Sequence, residues 1–203
     1  EGGEKCFATS TGMAAVFSSM MCFLEQGDKI VASRALFGSC YQILTKVFPK
    51  YGINTTFVSG QNIAEWEQAI DKNTKAVFFE TPSNPTLEII DISAVSKIAK
   101  KVGAKVIIDN VFATPILQKP LELGVDIVVY SGTKHIDGQG RALGGAIISD
   151  KEYYEKYLKP YMRHTGASLS PFNAWIMMKG LETLSLRTDR QIDSAKKVAD
   201  YLV

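Results

Sequence analysis

A chain of 203 residues with a net charge of +2 and 46% hydrophobic residues can bury one large core, and it has no basic excess with which to hold a nucleic acid. Its longest apolar runs, such as 76–79 and 127–130, are strand-length, too short to span a bilayer. Cys6, Cys22 and Cys40 are odd in number and widely spaced, with His135 and His164 the only histidines; this excludes a structural zinc pattern and, with no secretory leader in view, leads us to expect reduced thiols in the cytoplasm.

Taken in chain order, the periodicity predicts a helix over 12–25, a strand over 29–33, a helix over 39–48 and a strand over 54–59. A helix over 63–71, a strand over 76–81 and a helix over 92–102 follow, the last with Asp91 as its N-cap and Gly103 as its stop. Strands at 105–109, 127–131 and 145–149 and a helix over 151–161 complete an alternation without repeats or linkers. That alternation is the mark of an α/β fold: a three-layer sandwich around a mostly parallel sheet. Residues 169–203 read differently. Ser170 caps, Pro171 takes the first helical position, and helical periodicity runs almost to Val203. We therefore expect a large ligand-binding domain over 1–168 and a helical segment over 169–203 leading toward a further domain.

Three features carry chemistry. The strand 127–131 runs into Gly132-Thr133-Lys134, which sets a lysine at the end of a buried strand. An ammonium there is costly unless paired or chemically used, and a neutral amine is a nucleophile that forms Schiff bases. The plainer reading is a lysine emerging at the surface as the strand ends. Next, Thr9-Ser-Thr-Gly-Met13 opens the first helix with small residues, leaving the N–H groups of Gly12 and Met13 for an anion, with the Ser131 and Thr133 hydroxyls as further donors. Many helices begin this way merely to cap themselves. Finally, Asp109 ends the strand 105–109, at the edge where open α/β sheets bind ligands. Alone it reads as a cap or a salt-bridge partner; beside an anion site and a reactive lysine it can pair with a protonated ring nitrogen. Phosphate site, aldehyde-trapping lysine and ring-nitrogen partner are together the demands of pyridoxal 5'-phosphate. Asn84, between Pro82 and Pro85 after the strand 76–81, sits in a turn that can aim its amide at a phenolic oxygen or can simply be turn chemistry. Gly138, Gly140 and Gly144 precede a strand rather than opening a helix after one, so they fail as a dinucleotide fingerprint.

Several segments resemble the cysteine and methionine metabolism family of fold-type I pyridoxal-phosphate enzymes: Ala8-Thr-Ser-Thr-Gly-Met-Ala-Ala15, Glu80-Thr-Pro-Ser-Asn-Pro-Thr86, Asp109-Asn-Val-Phe-Ala-Thr-Pro115, Ser131-Gly-Thr-Lys134 and Gly180-Leu-Glu-Thr-Leu184. The resemblance implies Lys134 as the Schiff-base lysine, Asp109 as the ring-nitrogen partner and Asn84 as the ring-oxygen contact. It implies phosphate ligands at Gly12, Met13, Ser131 and Thr133, and Phe37 at the position where many relatives stack a tyrosine on the ring. Lys134-His-Ile-Asp-Gly-Gln-Gly-Arg141 is similar to the sulfhydrylase form of its loop. The expectation is γ-replacement on O-succinyl-L-homoserine with sulfide, giving L-homocysteine and succinate. Cystathionine γ-synthase or γ-lyase chemistry is the alternative, and a non-catalytic cofactor-binding or oligomerisation fragment the alternative of another class. The resemblance also implies a homo-oligomer, dimer or tetramer, and an amino-terminal arm and carboxy-terminal domain outside these residues, so that the fragment alone is expected to be inactive or impaired.

Overall fold

The computed structural model describes residues 1–203. Seven strands form one sheet in the order β1-β7-β6-β5-β4-β2-β3, where β1 is Lys5–Thr9, β2 Lys29–Ser33, β3 Asn54–Val58, β4 Thr74–Glu80, β5 Lys105–Asp109, β6 Ile127–Ser131 and β7 Gly145–Ser149. Neighbours from β3 to β6 pair in parallel, and β7 runs antiparallel to both β6 and β1, so it alone is reversed. The mostly parallel three-layer architecture expected from the sequence is the one observed.

The layers follow from the two-residue repeat of the strands. In β4, Ala76 and Phe78 face a core that includes Ala15 and Met20 of α1 (Gly12–Met21), Cys40 of α2 (Gly38–Gln42), and Ile107 and Val129. Val77 and Phe79 face the opposite core, with Trp66 of α3 (Ile63–Ala69), Val95 and Ala99 of α4 (Ile92–Lys101), and Ile108 and Val128. Central strands with both faces covered must read as unbroken apolar runs, and β4, β5 and β6 do. Trp66 is fully buried, and its indole N–H donates to the Gly60 carbonyl at 3.0 Å, which satisfies its one polar atom. No helix is long and apolar enough to cross a membrane.

The expected strands 29–33, 105–109, 127–131 and 145–149 match their observed bounds, and Asp91 caps α4 by accepting the Ala94 N–H. The differences have local causes. β1 was not foreseen: Lys5-Cys-Phe-Ala-Thr9 is an edge strand with one partner and alternating exposure, and it carries little apolar signal. The helix expected over 39–48 is one α-turn followed by a π-turn at Ile43–Val47 and a 3-10 turn at Phe48–Tyr51, because Pro49 has no N–H and crowds the preceding turn. The helix expected over 151–161 reaches Thr165, as α6 (Lys151–Tyr153), a π-turn at Tyr154–Leu158 ahead of Pro160, and α7 (Lys159–Thr165). The short α5 (Thr114–Leu117) falls in the β5–β6 connection. The helical stretch expected after Ser170 is two helices, α8 (Pro171–Leu181) and α9 (Leu184–Leu202), broken at Glu182 and Thr183. Gly180 sits where a methyl group would overlap the Ile136 carbonyl oxygen, so α8 lies hard against the loop after β6.

Candidate active site

A cavity of about 420 Å³ opens at the carboxyl ends of the parallel strands, where an α/β sheet leaves its strand-to-helix connections free to carry chemistry. Gly12, Met13, Phe37, Asn84, Asp109, Ser131, Thr133 and Lys134 all line it. These eight positions come from five separate connections, and the fold brings every one of them to a single space.

At one end lies the start of α1. Thr11 caps the helix, its hydroxyl accepting the Ala14 N–H at 3.0 Å, and the N–H groups of Gly12 and Met13 have no intrahelical partner. A Cβ on Gly12 would lie 2.6 Å from Ser131 Cβ and 2.8 Å from Ser131 Cα. The helix start therefore abuts the end of β6, so the free N–H groups at the positive end of the helix dipole lie beside Ser131. The Thr133 hydroxyl is loosely engaged with Gly144, 3.5 Å from its carbonyl and 3.4 Å from its N–H.

At the other end are two carboxylates. Asp109 and Glu80 are register partners on β5 and β4, so their side chains leave the same face of the sheet. Asp109 accepts the Val111 N–H at 3.0 Å and has no cationic partner; burial pushes its carboxyl up to about 6. Glu80 is 4% exposed, and burial, reinforced by the charge of Asp109, raises it to about 7. A half-buried, unpaired carboxylate at the cavity floor is an unmet demand for a positive group.

Phe37 stands at the N-cap position of α2, 42% exposed, its own N–H donating to Glu80 Oε2 at 2.9 Å. Asn84 is half-buried in a turn knotted by Ser83 Oγ, which accepts the Glu88 N–H at 3.0 Å, and by Thr81 Oγ1, which accepts the Ile90 N–H at 2.9 Å. The Thr81–Pro82 and Asn84–Pro85 bonds are cis.

Lys134 corrects one step of the sequence argument. β6 ends at Ser131, and the lysine sits three residues on, exposed to the cavity rather than held in a desolvated strand. Its accessibility, not burial, makes the amine available. The loop is held from behind: the Asp137 N–H donates to the Gly132 carbonyl at 2.8 Å, the Gly138 N–H to the Lys134 carbonyl at 2.7 Å, and buried Asp137 pairs with Arg141 at 2.8 Å. Arg187 of α9 donates to the carbonyls of His135 at 2.9 Å and Gly180 at 2.8 Å.

Sequence reasoning assigned His135, next to the lysine, no catalytic role, and it singled out none of Thr11, Val16, Glu80, Val111, Phe112 and Leu143, which also line the cavity. Glu80 had a readable signal, since it ends β4 as Asp109 ends β5.

The residues present fit a phosphorylated, ring-bearing aldehyde: an anion site, an unpaired carboxylate and an open amine share one cavity with an aromatic face. The comparisons with known proteins agree. The family model for Cys/Met metabolism PLP-dependent enzymes matches residues 1–203. The chain is 54% identical over 202 residues to an O-succinylhomoserine sulfhydrylase of Mycobacterium tuberculosis, covering 100% of this chain and 50% of that protein. It is 41% identical to a cystathionine gamma-lyase of Bacillus subtilis, again over its full length and 53% of the relative. The crystal structure of MetB from Corynebacterium glutamicum superposes with a TM-score of 0.97 at 38% identity, covering 100% of this chain and 52% of that one. The chain thus spans about half the length of the curated relatives it matches. With the cavity, the whole-chain match and the superposition in agreement, the chain belongs to the Cys/Met metabolism family of pyridoxal-phosphate-dependent enzymes, and its cofactor is pyridoxal 5'-phosphate.

Proposed function

We propose that the protein containing this chain carries out γ-replacement on O-succinyl-L-homoserine: the Cγ–O bond breaks, succinate leaves as the free carboxylate, and sulfide forms the new Cγ–S bond of L-homocysteine. The observation that carries the chemistry is the convergence of Lys134, Asp109 and the first turn of α1 on one cavity. The 54% identity over the whole chain to a sulfhydrylase, against 41% to a γ-lyase, favours the substrate.

In this reading the Gly12 and Met13 N–H groups, with the Ser131 and Thr133 hydroxyls, hold the phosphate. Asn84 donates to the ring oxygen, and Phe37 covers one face of the ring. When bound, the cofactor supplies an electron sink for carbanions formed on the amino acid. Lys134 would hold the cofactor through its aldehyde, and its free amine would move protons at the substrate Cα and Cβ. Asp109 keeps a proton on the ring nitrogen by offering it a negative partner. Phe37 has no hydroxyl with which to protonate a departing thiolate, of reference pKa about 8.5, whereas a carboxylate of about 4 leaves unaided, so its phenyl ring suits an acyl ester better than a thioether.

We read residues 1–168 as the cofactor-binding domain and 169–203 as a segment leading toward a further domain, in a cytoplasmic homo-oligomer. The test is a substrate panel on the full-length polypeptide: O-succinylhomoserine with sulfide, O-succinylhomoserine with cysteine, and cystathionine alone, with thiol and keto-acid products quantified. Homocysteine from the first mixture is expected. Turnover confined to the second or third assigns cystathionine synthesis or cleavage instead, and cofactor binding without turnover in any assigns a non-catalytic role.

A further inference from the structure

Glu80 is buried, ends β4 at the cavity, and the proposed reaction gives it no task. No lysine or arginine pairs with it; the charged and titratable groups that face it are Asp109 from β5 and the buried Cys40 thiol from α2. Its bonds are to backbone. Oε2 accepts the Phe37 N–H at 2.9 Å, and the backbone N–H of Asn84 lies on the same side, where it favours the charged carboxylate. Those two N–H groups belong to the segments that carry the aromatic face and the amide of the cavity. The segments come from different places, one following β2 and the other β4. Packing does not hold the ring in place, for Phe37 is 42% exposed, and no side-chain cap fastens the start of α2. A hydrogen bond to a buried side-chain oxygen is the tie that remains, and losing it leaves the Phe37 N–H without its partner.

We propose that Glu80 is a positioning residue: it fastens the Phe37 segment to the end of β4, beside the Asn84 turn, and so sets the width of the slot between them. The inference rests on the reading of this cavity as the cofactor site. Truncating Glu80 frees Phe37, and once Phe37 is free, removing its ring costs little more.

The test is a double-mutant cycle in the full-length polypeptide, with E80A, F37A and E80A/F37A, reading the pyridoxal phosphate dissociation constant by absorbance titration and the visible circular dichroism of the bound cofactor. Each single change is expected to weaken binding about tenfold, and the pair to lie within about threefold of either single rather than near a hundredfold. E80Q keeps an oxygen that can accept the Phe37 N–H and is expected to restore affinity to within about threefold with wild-type dichroism. Multiplicative losses, or E80Q as impaired as E80A, overturn the proposal. If E80A does not fold, E80D carries the test: one methylene too short to reach the Phe37 N–H, it must alter the visible dichroism while E80Q leaves it unchanged, and the opposite order overturns the role. A wild-type protein that fails to bind the cofactor overturns the cavity's assignment itself, whereas binding with independent losses removes Glu80 alone.

Discussion

Replacing Gly12 by alanine puts a methyl carbon 2.6 Å from Ser131 Cβ and 2.8 Å from Ser131 Cα, where ordinary carbon contacts need about 3.5 to 4 Å. Helix α1 and the end of β6 must part by roughly 1 Å, and because one obstructing atom is backbone, no rotamer change relieves the overlap. Overpacking of this kind costs about 1–3 kcal/mol. For a domain of this size that lowers the melting temperature by roughly 2–12 °C. The same displacement carries the Gly12 and Met13 N–H groups away from Ser131 Oγ, and a donor at about 2.9 Å from an anion moves out of bonding range when shifted by about 1 Å. The variant is therefore expected to lose stability and affinity for pyridoxal phosphate together, read by urea denaturation and absorbance titration. Gly38→Ala is the matched control: nothing lies within 4 Å of its added methyl, and at the first position of α2 it is expected to stay within about 0.5 kcal/mol of wild type. Gly12→Ala melting and binding like wild type would refute the claim that close packing at the start of α1 builds the anion site.

Lys134→Ala is expected to abolish the borohydride-fixed adduct of pyridoxal phosphate, and intact-mass measurement showing the adduct retained would reassign the lysine. In the cofactor-free protein, Glu80 rises from 4.5 to about 7 on folding, so the folded state holds its proton longer than the unfolded chain does. Its stabilisation is complete below about pH 4.5 and is lost as pH rises through about 7. Relative to E80Q, the wild type should lose roughly 3 kcal/mol between pH 4.5 and 8 in urea unfolding, and a flat difference would contradict the buried acid. Arg187→Ala removes charge-assisted bonds to the His135 and Gly180 carbonyls and is expected to cost about 2 kcal/mol, with faster amide exchange in the loop after Lys134; unchanged exchange there would show that α9 does not brace it.

The sheet was legible where its strands are buried on both faces. Residues 105–109 and 127–131 are apolar runs ended by a polar residue, and burial on both sides leaves no other arrangement for them. β1 was not legible, because pairing with β7 holds Lys5–Thr9 as a strand more than its own side chains do. The break between α8 and α9 was hidden for a similar reason: Gly180 answers a carbonyl 44 positions earlier in the chain, at Ile136, and local periodicity is blind to that contact. The candidate site was readable as strand-end residues, and all eight meet at one cavity. Glu80 escaped because a carboxylate bonded to backbone leaves no trace in residue spacing, and the accessibility of Lys134 depended on where β6 stops.

Arg187 lies in the first turn of α9, a rod of 19 residues and so about 28 Å long. Its guanidinium grips the peptide next to Lys134, while Tyr201 and Leu202 at the far end stand in solvent. A body docking on that distal tip would work the helix as a lever whose short arm ends beside Lys134, so tilting the rod would pull on the peptide next to that lysine without any contact inside the cavity.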